Sequence, residues 1–359
     1  MKTYFRKISY LATMLAVLGL VACTNNTNSL QEPTYQSAET YLKEIGFRGS
    51  VLIRKGNKDV VRKGFGLADV ANSTNNNPEL IYRIGSVTKS FTAAAIIQLK
   101  RDGFIQSLDQ PLSDFDDEFP LGNQITLRHL LTHQSGIHDY VAGVEDFVEE
   151  HDYYIEKEEI LEVITKSIQE DGLQFTPGDY FSYSNANYFI LGMLIEGLTG
   201  KTYQQYLQEK IYTPLALDHT AKSPDEITGT ERAKGYYQDD EVAPYQMNIA
   251  YSAGELESSL ADLEKWGDAM LGDFYTETEK QEFFAAPYAQ EDVNVPGAGW
   301  FTLQQNNKIV YHHGGDVRGF TSFLVLVPEA NGIIVLLSNE QDQGEQRAKI
   351  LEVILENEF

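Results

Sequence analysis

Cysteine is almost absent from this chain. Cys23 is the only one in 359 residues, so no intrachain disulfide can form and no cysteine cluster is available to hold a metal. Basic residues are scarce too: 28 Lys and Arg face 53 Asp and Glu, for a formal net charge of −25. That balance argues against nucleic-acid binding, which needs basic patches, and against a polybasic grip on anionic lipid. Histidines number seven. His129 and His133 stand four apart, as two ligands on one helix face would, but the zinc-peptidase pattern needs Glu directly after the first His and Leu130 stands there. A structural role is expected for both, with no metal site. No internal repeat is visible.

The apolar run at the N-terminus is short. Lys2, Arg6 and Lys7 form a basic start, and the stretch from Ile8 to Ala22 is too brief to cross a bilayer comfortably. Residues 1–22 therefore read as a signal peptide. The run ends Leu20-Val21-Ala22-Cys23, and small residues before a cysteine resemble the bacterial lipobox. That resemblance implies a lipid on Cys23, which becomes the new N-terminus. An ordinary signal peptide with an incidental cysteine, or an uncleaved anchor, is the alternative. Cleavage there removes three basic residues and no acidic one, leaving a still more acidic chain. The polar stretch from Thr24 to Ser29 reads as a flexible tether, so residues 23–35 would link an anchor to a folded domain over 36–359. The implied address is the outer face of a bacterial membrane, in the cell envelope.

What is present suits a sizeable core: 42% of residues are apolar and 11% aromatic, against disorder. A short helix is expected over Glu39–Ile45. Strands over Gly49–Arg54 and Val60–Gly66 flank the turn Lys55-Gly56-Asn57 and make a hairpin. Four more strands are expected near the C-terminus, over Trp300–Gln304, Lys308–His312, Thr321–Val327 and Gly332–Leu337, with a turn at Gln305-Asn306-Asn307 and a last helix over Glu340–Glu358. The middle, about residues 72–290, reads as mostly helical. Helices are expected from Ser86 to Arg101, within Ile125–Gly136 with Thr126 as cap, over Tyr153–Glu170, Tyr188–Leu198 and Tyr203–Ile211, and from a capping box at Ser259 and Asp262 through Met270. Short turns between strands imply antiparallel pairing. The expected fold class is α+β: one antiparallel sheet from both chain ends, terminal helices on one face, and the helical insertion on the other. Ser86 would lie between sheet and insertion, where sites tend to form.

Three stretches carry candidate chemistry. In the run from Tyr82 to Ile97, the turn Gly85-Ser86 leads into an Ala-rich apolar helix with Lys89 three residues on. That spacing puts both side chains on one face, at a helix start with unpaired N–H groups and the positive end of the dipole. A hydroxyl beside an amine kept neutral by burial is a candidate activated nucleophile. An N-cap serine followed by an ordinary surface lysine would look the same. Tyr183-Ser184-Asn185 follows a turn at Pro177-Gly178, and His313-Gly314-Gly315 lies between two expected strands. Ser86-x-x-Lys89 occurs once in the chain, as does Tyr183-x-Asn185.

With their flanks and in this order, these stretches resemble the serine beta-lactamase-like family, which includes class C beta-lactamases, D-alanyl-D-alanine carboxypeptidases and serine esterases. The matching segments run from Gly49 to Leu337. They are Ile84-Gly85-Ser86-x-x-Lys89, Leu130-Leu131-Thr132-His133-x-Ser135-Gly136, Pro177-Gly178-x-x-Phe181-x-Tyr183-Ser184-Asn185, Pro214-Leu215 and His313-Gly314-Gly315-x-x-x-Gly319-Phe320.

The resemblance implies a set of roles. Ser86 is the nucleophile that becomes acylated, and Lys89 and Tyr183 share the base role, with the carrier of the proton left open. Asn185 donates to the substrate or orients Lys89, and the N–H groups of Ser86 and Asp316 form the oxyanion hole. No metal or organic cofactor is implied.

The third segment departs from class C enzymes, which carry Lys-Thr-Gly where this chain has His313, Gly314 and Gly315. A partly charged histidine and a missing hydroxyl weaken the hold on a substrate carboxylate. Asp316 adds a negative charge that Arg318 is expected to offset. A peptidase, amidase or esterase acting on D-amino-acid or cell-wall-derived groups is therefore expected before a beta-lactamase. A non-catalytic sensor acylated by penicillin, or a tethered adaptor, is the reading from a different class.

Overall fold

Apolar side chains alternate along the strands, so each face of the sheet feeds its own core. The computed structural model describes residues 37–285, 296–305, 308–341 and 343–359; the expected signal peptide, Cys23 and tether, and Asn306 and Asn307 of the expected turn, lie outside them. Strands β1 (Gly49–Lys55) and β2 (Lys58–Phe65) form the expected hairpin. From the other end come β3 (Phe301–Gln305), β4 (Lys308–Val317), β5 (Phe320–Val327) and β6 (Gly332–Ser338). The six make one sheet, ordered β3-β4-β5-β6-β1-β2, antiparallel throughout. The chain ends meet where Gly49 pairs with Ser338 and Ile53 with Ile334.

Val51, Ile53, Val325, Val327, Ile334 and Leu336 turn to one face. There they pack with Tyr41 and Leu42 of α1 (Ala38–Glu44) and with Ile350, Leu351 and Ile354 of the C-terminal helix Gly344–Asn357. Their neighbours Leu52, Leu324, Leu326, Ile333, Val335 and Leu337 join the core on the opposite face, shared with the helical region.

At the centre of that region is α2 (Thr88–Arg101), buried at every residue from Thr88 to Leu99. A helix buried all round has no solvent face to give. Phe91 stacks on Trp266 at 4.4 Å, and the Trp266 indole donates to Ser90 Oγ at 3.0 Å, clamping α2 to the helix Leu260–Leu271. The α-helix begins later than expected. Gly85–Val87 is a 3₁₀ turn, and Ser86 sits on it. Ser259 does cap the helix at Leu260, accepting the Asp262 N–H at 3.2 Å. The Asp262 carboxylate turns instead to the N–H of His219 and the hydroxyl of Thr220, so the box is half-formed.

Several expectations needed correction. Beside its helices the middle also holds a small antiparallel sheet, of Ile81–Arg83, Leu256–Ser259 and Ala221–Lys222, from strands too short to show a period. α3 (Leu127–Leu131) has Thr126 as its cap but stops short of Gly136, because His133 takes a left-handed conformation with φ +55°. The expected acidic helix starts four residues later than Tyr153, as α5 (Lys157–Asp171), and an unexpected helix, α4 (Val141–His151), precedes it and ends at Asp152 with φ +47°. On α5, Ile160, Ile164 and Ile168 are the buried stripe, so its charges form the solvated face. α6 (Asn185–Thr199) starts three residues before Tyr188 and closes on Gly200.

β4 runs on to Val317, which places His313-Gly314-Gly315 inside a strand, not between two. The strand can continue because Gly315 leaves room for Ile84. A Cβ on Gly315 would lie 2.0 Å from the Ile84 carbonyl oxygen. Among the described residues no helix is long and apolar enough to cross a membrane.

Candidate active site

Burial sets the chemistry of Lys89. Its side chain is wholly inside the protein, and loss of water pushes its pKa down to about 7. Three acceptors surround Nζ: Ser86 Oγ at 3.0 Å, Asn185 Oδ1 at 2.8 Å and the Ala253 carbonyl at 2.8 Å. An ammonium would donate to all three. A neutral amine has two N–H groups and one lone pair. The amide and carbonyl oxygens cannot donate, so they take the two N–H groups, and the lone pair is left for the Ser86 hydroxyl. Once deprotonated, Lys89 is a base aimed at Ser86.

The backbone supplies this geometry at two unusual points. Gly85, with φ +47°, turns the chain so closely against β4 that a Cβ there would lie 2.8 Å from the Asp316 nitrogen. Ser86 and the Asp316 backbone thus sit on abutting segments, as two N–H donors to one oxyanion require. Tyr251 has φ 36° and ψ −138° inside the helix Met247–Gly254. Past that kink the Ser252 carbonyl accepts from Thr92 and the Ala253 carbonyl from Lys89.

Tyr183 completes the group. Its phenol lies beside Ser86, and desolvation drives its pKa well above the ordinary value. The phenol therefore keeps its proton while Lys89 is half neutral near pH 7. Lys89 Nζ lies 4.9 Å from the centre of the Tyr183 ring and 5.6 Å from that of Tyr188.

The ring of Tyr183 stacks on His133 at 4.2 Å. His133 Nδ1 accepts the Ser184 N–H and meets Asn187 Nδ2, each at 3.2 Å. Burial and the nearby Lys89 charge hold this imidazole well below its ordinary pKa, so it is neutral. His129 does something else: its Nδ1 accepts the Thr126 N–H and closes the cap of α3.

Burial and the Lys89 charge bring the pKa of His313 down to about 3, and its Nδ1 bonds the Gly314 carbonyl at 2.6 Å. The third segment thus carries no cation near neutral pH, not even the partial charge expected from sequence. Nor does Arg318 offset Asp316. Arg318 pairs with Glu149 and lies over the Tyr245 ring. Asp316 is held by Arg347 Nη2 at 2.8 Å and by the Thr321 hydroxyl at 3.1 Å. Arg347 also donates to the Gly315 and Ser322 carbonyls, each at 3.1 Å.

Sequence reasoning missed Arg347, Ala253 and Asp139. None of them stands in a segment with its own chemical signal. His133 was in view, but only as a structural residue.

A pH profile checks the state of Lys89. Because the neutral amine is the active form, kcat/KM is expected to rise with pH through about 7 and then level off. A rate unchanged between about pH 5 and 9 would show that no group with this pKa controls the reaction.

A serine hydroxyl beside a buried amine and a phenol, on a turn between an antiparallel sheet and a helical region, is the arrangement of a serine hydrolase. The chain belongs to the Beta-lactamase family, whose model matches residues 37–357. It is 29% identical over 327 residues to PbpX of Bacillus subtilis (strain 168), covering 89% of this chain and 78% of that one. It is 30% identical over 303 residues to Protein flp of Staphylococcus aureus (strain MW2), covering 81% of this chain but only 59% of that relative's length. The crystal structure of a penicillin-binding protein from Bacillus halodurans has the same fold, with a TM-score of 0.75 and 27% identity over 88% of this chain and 98% of that one.

Proposed function

We propose that this chain hydrolyses an ester or amide through an acyl-enzyme on Ser86, the acyl group being a D-amino-acid or cell-wall-derived one. The observation that carries this is the ring of acceptors around Lys89 Nζ, which leaves its lone pair for the Ser86 hydroxyl.

In the first half-reaction Ser86 Oγ bonds to the substrate carbonyl carbon as its proton passes to Lys89. The Ser86 and Asp316 N–H groups take the charge that develops on oxygen. Tyr183, still protonated, hands a proton to the leaving amine or alcohol and is resupplied from Lys89. Water then attacks the acyl carbonyl, gives up its proton along the same pair, and frees Ser86. Asn185, His313, Gly314 and Gly315 wall the substrate without a net charge.

The missing cation guides the choice of substrate. Lys89 is buried as the base, Arg347 is engaged by Asp316, Arg318 by Glu149, and His313 is neutral. None of these is left to hold a free substrate carboxylate, so uncharged esters and amides are favoured over penicillins. The likeness to a penicillin-binding protein supports a D-amino-acid or cell-wall setting for the scissile bond. We also propose that residues 1–22 are a lipoprotein signal peptide, and that a lipid on Cys23, through the tether to residue 35, holds the domain of residues 36–359 at the outer face of a bacterial membrane.

The test is fluorescent-penicillin labelling together with a screen of p-nitrophenyl esters and D-amino-acid amides. Turnover of an ester or amide, with slow or no penicillin hydrolysis, is expected. A penicillin or cephalosporin kcat/KM on the order of 10⁷ M⁻¹s⁻¹ would overturn the substrate reading. Labelling with no turnover of any compound would favour a sensor. For the location, Cys23→Ala is expected to abolish partitioning into the detergent phase, and lipid labelling that survives this change would refute the anchor.

A further inference from the structure

We propose that Asp139 is a positioning residue: it fixes which way the Asn185 amide faces, and through it where the Lys89 lone pair points. This rests on the reading of Lys89 as the base for Ser86. Asp139 is exposed, on the segment between α3 and α4. Its Oδ1 accepts the Asn185 backbone N–H at 2.8 Å, and its Oδ2 accepts Asn185 Nδ2 at 3.1 Å. Asn185 is the first residue of α6, and the residue before it, Ser184, makes no side-chain cap bond. One carboxylate thus caps the helix from outside and grips the side-chain amide as well.

The grip has a chemical consequence. An amide can turn over, exchanging its oxygen for its NH₂ group. Turned over, Asn185 would set N–H against the N–H groups of Lys89. An ionised carboxylate only accepts, so Nδ2 must face Asp139, and Oδ1 is left for Lys89 at 2.8 Å. With Oδ1 and the Ala253 carbonyl holding the two N–H groups, the lone pair has Ser86 as its one partner. The titratable groups that face Lys89 are Asp139, His133 beyond α3, Tyr183 and Tyr188 at α6, and His313 on β4. Of these Asp139 is the carboxylate, and its charge favours the ammonium.

Two substitutions separate orientation from charge and capping. Asp139→Asn keeps an oxygen for the Asn185 N–H but sets an NH₂ group against Nδ2, and the clash is relieved by turning the Asn185 amide toward Lys89 the wrong way. Asp139→Ala removes both bonds and leaves the amide free to keep Oδ1 on Lys89. The measurements are kcat, KM, and the titration of Lys89 followed by NMR of ¹³Cε-labelled lysine, with thermal melts to establish folding. Asp139→Asn is expected to lower kcat about tenfold or more with KM nearly unchanged, and to do so more than Asp139→Ala. Lys89 should titrate at lower pH in both variants, lowest in Asp139→Asn, and the gap between them should close in an Asn185→Ala background.

Wild-type kcat and Lys89 titration in Asp139→Asn would overturn the proposal. So would an Asp139→Ala protein that is impaired while Asp139→Asn is not, since capping alone would then explain the contact. The titration needs no turnover, so it reports on Asp139 even if Ser86 proves not to be acylated.

Discussion

Lys89→Ala is expected to lower kcat by about 10² or more, the scale of losing a general base, with the fold retained. The lysine is buried, yet its three polar partners are Ser86, Asn185 and the Ala253 carbonyl, all of the site itself. Removing the amine takes the base from Ser86 and leaves no buried charge behind, since Asp139, the carboxylate that faces it, is exposed and bonded to Asn185. Tyr183→Phe should cost a similar factor for a linked reason. The phenol touches Ser86 and sits beside the amine, and desolvation keeps its proton in place to be handed on. Groups that act as a unit do not lose their contributions independently. The double variant should therefore be little worse than the worse single one. Losses that multiply would show that the two serve separate steps.

Gly315→Ala should damage both stability and activity without touching a reacting group. A Cβ there meets the Ile84 carbonyl oxygen at 2.0 Å and Ser322 Oγ at 2.5 Å, while Ser322 Oγ itself donates to that carbonyl at 2.7 Å. Two of these groups are fixed by the turn that carries Ser86 and by β5. Either β4 moves away from the Gly85–Val87 turn, or the turn gives way. A loss of about 3 kcal/mol in stability is expected, as for overpacking against rigid neighbours. A drop of about 10² in kcat/KM should accompany it, because the Asp316 N–H moves relative to Ser86. Urea unfolding and steady-state kinetics measure the two. Gly314→Ala is the contrast: its Cβ would lie 3.0 Å from Arg347 Nη1, the far end of a flexible side chain, and a milder effect is expected. Equal effects at the two glycines would contradict the close approach at Ile84.

The large sheet was legible in sequence because its strands alternate or run apolar between clear turns, as in Gly49–Lys55 and Gly332–Ser338. The strand Leu256–Ser259 was not, because four residues buried on every side carry no period. The site was legible as far as the motifs reach: Ser86, Lys89, Tyr183 and Asn185 do meet. Which of Lys89 and Tyr183 holds the proton was not, since that depends on desolvation, a property of the folded state. Arg347 was hidden for a different reason. It is an ordinary residue of an amphipathic terminal helix, and only the sheet order brings it to Asp316. The same holds for Ala253, whose carbonyl reaches Lys89 because Tyr251 kinks the helix before it.

The most direct measurement is the intact mass of the protein after reaction with a slow ester substrate or a phosphonate, followed by peptide mapping. One adduct on the peptide bearing Ser86 is expected, with none on Ser86→Ala protein that is otherwise folded. An adduct that persists at another residue in Ser86→Ala would contradict the assignment of Ser86 as the nucleophile.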